Sequence, residues 1–128
     1  MAFEGHLFEL EGVVFPMKFI AIETYESTPN QKIDIDSYTD ANGKLHRNVL
    51  PHTRSKFEFT TPTMSLTEKI EMQGFFPDRL TVSARYWNDE TNTYTNGTFY
   101  VPDITFKPYA TYAGDIKYKP IRIAFIEY

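Results

Sequence analysis

The sequence predicts a mainly β protein: an antiparallel β-sandwich or partly open β-barrel of seven or eight strands, with one short α-helix at about 65–75 packed on one side. Three observations carry that expectation. Eleven Phe, nine Tyr and one Trp make 16% of the 128 residues aromatic, and such residues favour strands. Apolar and polar residues alternate with period two in several segments, as in half-buried strands. One segment alone changes to a helical period, and it opens with a capping box.

Taken in order, His6 to Gly12 is a strand in which Phe8 and Leu10 oppose Leu7, Glu9 and Glu11. Met17 to Glu23 is apolar on both sides (Phe19, Ile20, Ala21, Ile22) and reads as a central strand, with Pro16 where it does least harm. Lys32 to Asp36 is a third strand, Ile33 and Ile35 inward and Lys32, Asp34 and Asp36 outward. Asp40-Ala41-Asn42-Gly43 is a turn, because Asn-Gly supplies positive φ cheaply. His46 to Pro51 is a candidate short strand. Ser55 to Thr60 alternates Phe57 and Phe59 with Lys56, Glu58 and Thr60. Ser65-Leu66-Thr67-Glu68 then caps a helix of roughly ten residues, with Met64 before the cap and Pro77 ending it. Leu80 to Trp87 and Gly97 to Val101 are strands around a hairpin loop over Asn88–Asn96. Asp103 to Phe106 continues after Pro102, Tyr109 to Asp115 reads as a loop, and Tyr118 to Glu127 is the last strand, burying Ile121, Ile123 and Phe125.

No low-complexity tract, charge block or linker divides the chain, so 1–128 is expected to be a single β-rich domain with a projecting loop at about 38–54. The absence of cysteine excludes disulfide scaffolds, thiolate zinc sites and Cys nucleophiles. A net charge of −4 argues against general attraction to nucleic acid or anionic membrane. No apolar run approaches the length of a membrane span, and Met1 to His6 has no basic, then apolar, signal pattern, which leads to an expectation of synthesis in a cytoplasm.

Chemistry-bearing constellations are sparse. His6, His46 and His52 fit no metal-ligand spacing and read as loop histidines. Asp34 and Asp36 share one strand face beside Lys32, the pattern of a solvated surface. Neither a nucleophile elbow nor a phosphate loop is present. Asn96-Gly97-Thr98 fits the glycosylation triplet without a secretory signal beside it. No nucleophile, base and orienting group assemble, so the expectation is a protein without catalytic residues, cofactor or metal. Aromatic stacking on nucleic acid also needs a basic groove; 13 Lys and Arg against 17 acids do not supply one. The loop around Lys44, Arg47, Arg54 and Lys56 carries Leu45, Val49 and Leu50. It reads equally as an ordinary long connection or as a docking arm that adds to a neighbouring subunit.

At that loop the sequence resembles small tail-morphogenesis proteins (tail-tube, distal-tail or baseplate type) of phages and prophages of Gram-positive bacteria. The likeness rests on Ser37-Tyr38-Thr39-Asp40-Ala41-Asn42-Gly43-Lys44-Leu45-His46-Arg47, on a short helix leading to Leu80–Tyr86 and the hairpin segment Asn96 to Asp103, and on the closing Phe125-Ile126-Glu127-Tyr128. It spans about residues 33–128. The resemblance implies a virion structural protein of the tail. Its partners would be copies of itself in a ring, hexameric in such proteins, and other tail proteins. DNA would only pass through the lumen, and no membrane span is expected. The strand pair expected over Phe3 to Glu23 departs from the best-known tube proteins, leaving open tube, hub, adaptor or terminator. Expected inter-subunit contacts are Leu45, Arg47, Val49, Leu50, Arg54, Tyr94, Tyr109 and Tyr112. Glu9, Glu11, Asp34, Asp36 and Glu58 either line a lumen, where acids repel phosphates, or face bulk solvent. The competing expectation is a small-ligand- or carbohydrate-binding β-barrel module with an aromatic-lined cavity.

Overall fold

Where alternation is strongest, around Phe57, Val82 and Ile123, the chain forms the middle of one sheet. The structure, a computed structural model, describes residues 3–76 and 79–128. In chain order its elements are β1 (Phe8–Leu10), β2 (Val13–Val14), a 3-10 turn (Met17–Phe19), β3 (Glu26–Gln31), β4 (Tyr38–Thr39), β5 (Leu45–His46), β6 (Arg54–Thr60), β7 (Met64–Ser65), α1 (Leu66–Gln73), β8 (Val82–Asn88), β9 (Thr93–Tyr100), β10 (Pro108–Tyr112), β11 (Asp115–Tyr118) and β12 (Arg122–Glu127). Seven strands pair in the order β2-β1-β8-β9-β12-β6-β3, three more as β10-β11-β7, and β4-β5 stand alone as a ribbon. The pairings are antiparallel. The large sheet ends at β2 and at β3, so it is the open sheet of a sandwich and not a closed barrel.

Alternation sends Phe8, Leu10, Phe57, Phe59, Val82, Ala84, Tyr86, Phe99, Ile123 and Phe125 to one face, all buried. The opposing layer contributes Phe15, Phe19, Met64, Met72, Tyr118 and Ile121. Phe57 is the hub. Its ring centroid lies 4.7 Å from Phe125, 5.0 Å from Phe8, 5.3 Å from Phe99 and 5.5 Å from Tyr86. Ring pairs at such distances contribute about 0.5–1.5 kcal/mol each beyond area burial. The capping box forms: Ser65 Oγ accepts from the Glu68 amide, and Glu68 accepts from the Ser65 amide at 3.1 Å. Phe75 and Phe76, just past the helix, pack against Phe15 at 5.7 and 5.8 Å.

Several expected elements differ. Met17–Glu23 is not a central strand. The segment crosses the sheet, putting Phe19 in the core, donating from the Ala21 amide to the Thr60 carbonyl at 2.9 Å, and leaving Ile22 91% exposed. Its two-sided apolar pattern marks a crossing. Lys32–Asp36 makes one bridge, Asp34 to Val49, and is broken by a positive φ of 53° at Asp36, so Ile35 faces solvent. The short strand expected over His46–Pro51 is Leu45–His46. Leu80 precedes its strand and is exposed, the Asn88–Asn96 loop shrinks to residues 89–92, and 103–106 is irregular. Tyr109–Asp115 is no loop: β10 and β11 pair around Ala113 and Gly114, whose φ values of 31° and 88° make the turn. Pro77 lies outside the described residues.

Phe57→Ala should cost about 3–5 kcal/mol in urea-unfolding free energy. A loss below about 1 kcal/mol would contradict its place at the hub.

Candidate assembly arm

The chain between β3 and β6 is not a loose connection. Glu26 faces Glu58 and Thr28 faces Lys56 in the sheet; further out Gln31 faces Arg54, Asp34 faces Val49, Tyr38 faces His46 and Thr39 faces Leu45. The register shifts by two residues between Gln31 and Asp34 and by one on either side, and the pairs otherwise follow one ladder. Residues 26–60 are thus a single long hairpin. Its root is the edge of the large sheet, and its outer half, about 25 Å at 3.3 Å per residue, leaves the body of the domain.

That outer half is braced within itself. The Ile35 amide donates to the Asn48 carbonyl at 2.9 Å and the Leu50 amide to the Ile33 carbonyl at 2.8 Å. Arg47 forks onto Asp34 through Nε at 2.9 Å and Nη2 at 2.6 Å. At the tip, Asp40 accepts from the amides of Asn42 and Lys44 and pairs with His46 Nε2 at 2.8 Å, while His46 stacks on Tyr38. Gly43, at φ 81°, closes the turn.

The root is clamped by polar groups around the buried Ser55 and Tyr86. Tyr86 Oη donates to Ser55 Oγ at 2.6 Å, and Ser55 Oγ also accepts from the Asn30 amide at 3.1 Å. The Ser55 amide donates to Glu127 Oε1 at 2.8 Å. Glu127 reaches it because position 97 is glycine; a Cβ there would sit 2.6 Å from Glu127 Oε2. His52 Nε2 pairs with the Tyr128 carbonyl at 2.9 Å. Burial pushes the Tyr86 phenol above its ordinary value, so it stays a donor. These contacts fix the direction in which the arm leaves.

Two-sided alternation, with the extra residue at Asp36, divides the ribbon into faces. Ile33, Ile35, Tyr38, His46 and Leu50 share one; Asp34, Arg47, Val49, Thr39 and Leu45 share the other. Ile35, Tyr38, Leu45, Val49 and Leu50 are all exposed. The arm therefore presents apolar side chains on a preformed support.

The other expected contact residues are scattered. Arg54 is exposed at the arm root and Tyr109 is exposed on β10; Tyr112 lies on β10, and its side chain is outside the described set. Tyr94 is engaged within its own chain. Its hydroxyl donates to the His6 carbonyl and accepts from the Glu4 amide, and its ring lies under Arg85 and against Trp87. Of the five acids, Glu9 and Glu58 reach the outer face of the sheet, but Glu9 pairs with Arg85 at 2.6 Å and Glu58 with Arg122. Glu11 accepts from the Ser83 amide at 2.9 Å in a turn. Asp34 and Asp36 stand on the arm. The five do not form one acidic wall.

Glu4, His6 and Glu9 bring their ligand atoms within 4.8 Å of one another, yet Arg85 donates to both carboxylates. A guanidinium thus takes the position a cation would need. Sequence reasoning missed the root clamp, whose polar members resemble ordinary strand residues, and missed that Ile33 and Ile35 belong to the arm. The polar run Glu26-Ser27-Thr28 was the available signal for an edge strand there.

A family model described as "Family of unknown function (DUF6711)" matches residues 1–128. The chain belongs to that family. No curated protein and no solved structure matches it. No helix among the described residues is long and apolar enough to cross a membrane.

Arg47 holds the Asp34 carboxyl below its ordinary value, and His46 with the two tip amides does the same for Asp40. A lowered folded value stabilises the arm above the ordinary aspartate value of 3.8, and that contribution is lost as pH falls through the lower folded value. Protection factors at Ile35 and Leu50, corrected for the intrinsic pH dependence of exchange, should therefore be high at neutral pH and fall only below about pH 4. Arg47→Ala should lower the protection already at neutral pH; unchanged protection would contradict the brace.

Proposed function

We propose that this chain is a non-enzymatic structural protein that associates with copies of itself through the arm, as a component of a phage tail or baseplate. The observation that carries the reading is the arm: a self-braced two-stranded ribbon, clamped at its root, with Ile35, Tyr38, Leu45, Val49 and Leu50 exposed. No side chain from Ile33 to Leu50 belongs to the buried core or to the side chains packed against it, so covering the ribbon with a partner takes nothing from the core. Exposed apolar side chains on it are costly in water unless a partner covers them. The resemblance to tail-morphogenesis proteins supplies the setting: a ring, hexameric in such proteins, beside other tail proteins in the virion, after synthesis in the host cytoplasm. Against the ligand- or carbohydrate-binding alternative stands the filled sheet face. Phe8, Phe15, Phe57, Phe59, Phe99 and Phe125 occupy the space where a binding barrel keeps a cavity, each 1% exposed or less.

Ile33 and Leu50 pair across the hairpin, so Asn-Gly can replace residues 34–49 without strain. The full chain should show a molar mass that rises with concentration in light scattering. The shortened chain should stay monomeric with a thermal midpoint within a few degrees of the parent. Association unchanged by the deletion, or a full chain monomeric at millimolar concentration, would contradict the proposal.

A further inference from the structure

The arm leaves one end of the large sheet, at β3. The other end, at β2, carries a second apolar feature. A groove of about 260 Å³ opens there between the β1–β2 hairpin and the end of α1, lined by Leu10, Glu11, Val13, Gly74 and Phe75. Val13, in its lining, is 53% exposed, and the nearby chain residues Val14 and Met17 are 47% and 46% exposed. The backbone of β2 is also open. The Phe15 amide donates to the Phe8 carbonyl, so in the alternating antiparallel pattern Val14 points its own N–H and C=O away from β1.

We infer that the arm of one copy seats in the β2-end groove of the next copy. This rests on the self-association reading above and names its second surface. Two different apolar patches at opposite ends of one sheet are what head-to-tail association requires; a two-fold contact would use one patch twice. Charge agrees with the assignment. Arg47 and His46 are taken by Asp34 and Asp40, and Lys44 at the arm tip has no ion pair among the described residues. Glu11 on the groove rim has no cationic partner among the described residues, where its carboxylate accepts the Ser83 amide. A ribbon about 25 Å long offers less than the roughly 800 Å² per partner of a standard interface. A single contact is therefore weak, and closing the set into a ring strengthens it by making the last contact intramolecular.

The chain has no cysteine, which makes the test direct. Ile35→Cys and Val13→Cys are made in separate chains, mixed, and treated with a short bismaleimide at a concentration where light scattering shows association. The expected result is a covalent dimer in the mixture, far above the yield from either variant alone. Association with no mixed cross-link, or with Ile35→Cys cross-linking to itself, overturns the seat while leaving self-association intact. No association in the parent overturns both. As a second readout, Lys44→Glu should weaken association by up to about fivefold, the scale of an exposed ion pair, and Glu11→Lys in the same chain should restore it. Equal weakening by both changes without restoration would overturn the charge match.

Discussion

The structure depends on how far the aromatic packing around Phe57 extends along one hairpin. The inner residues of β6, Phe57 and Phe59, sit in the core with Phe8, Phe99 and Phe125, and they hold β3 and β6 as the sheet edge. Past Ser55 no core continues, yet the two strands stay paired to the tip in nearly one register. The same covalent element is a structural strand pair at one end and a free ribbon at the other. Two-stranded hairpins are marginal alone in water. Here the local ion pairs, the Asx-type contacts of Asp40 and the rigid root lower the entropy cost of keeping the outer half ordered.

Charge follows the same division. On the body, arginines sit beside the outward acids, Arg85 with Glu4 and Glu9 and Arg122 with Glu58. The outer sheet face is a mosaic of both signs. On the arm Asp34 and Asp40 are spent on internal bracing. The ribbon and β2 each carry exposed apolar side chains, and these are the surfaces that association would cover.

Much of the fold was legible in the sequence because its strongest signals are local. Ser65 and Glu68 announce the helix start, and Phe57–Phe59 and Ile123–Phe125 announce buried strands. What was not legible depends on contacts distant in sequence. Met17–Glu23 has the composition of a strand, but the strand positions beside β6 are filled by β12 and β3, so the segment crosses and exposes Ile22. Tyr109–Asp115 reads as a loop because its turn lies at Ala113-Gly114 and its flanks lack alternation; pairing with β11 makes it a strand. Of the candidate site, Leu45, Val49 and Leu50 were visible as apolar residues in a polar stretch. Ile35 and Tyr38 were not, because their exposure follows from a ribbon that leaves the sheet. The root clamp was invisible, since Gly97 and Glu127 meet only when β9 and β12 pair.

Hydrogen exchange followed by mass spectrometry at low and high protein concentration tests the central claim most directly. The account predicts that peptides covering residues 33–50 gain protection as concentration rises, while those from β6 and β12, already buried, do not change. Arm exchange that is the same at both concentrations, across a range where the protein is present at millimolar levels, would contradict it.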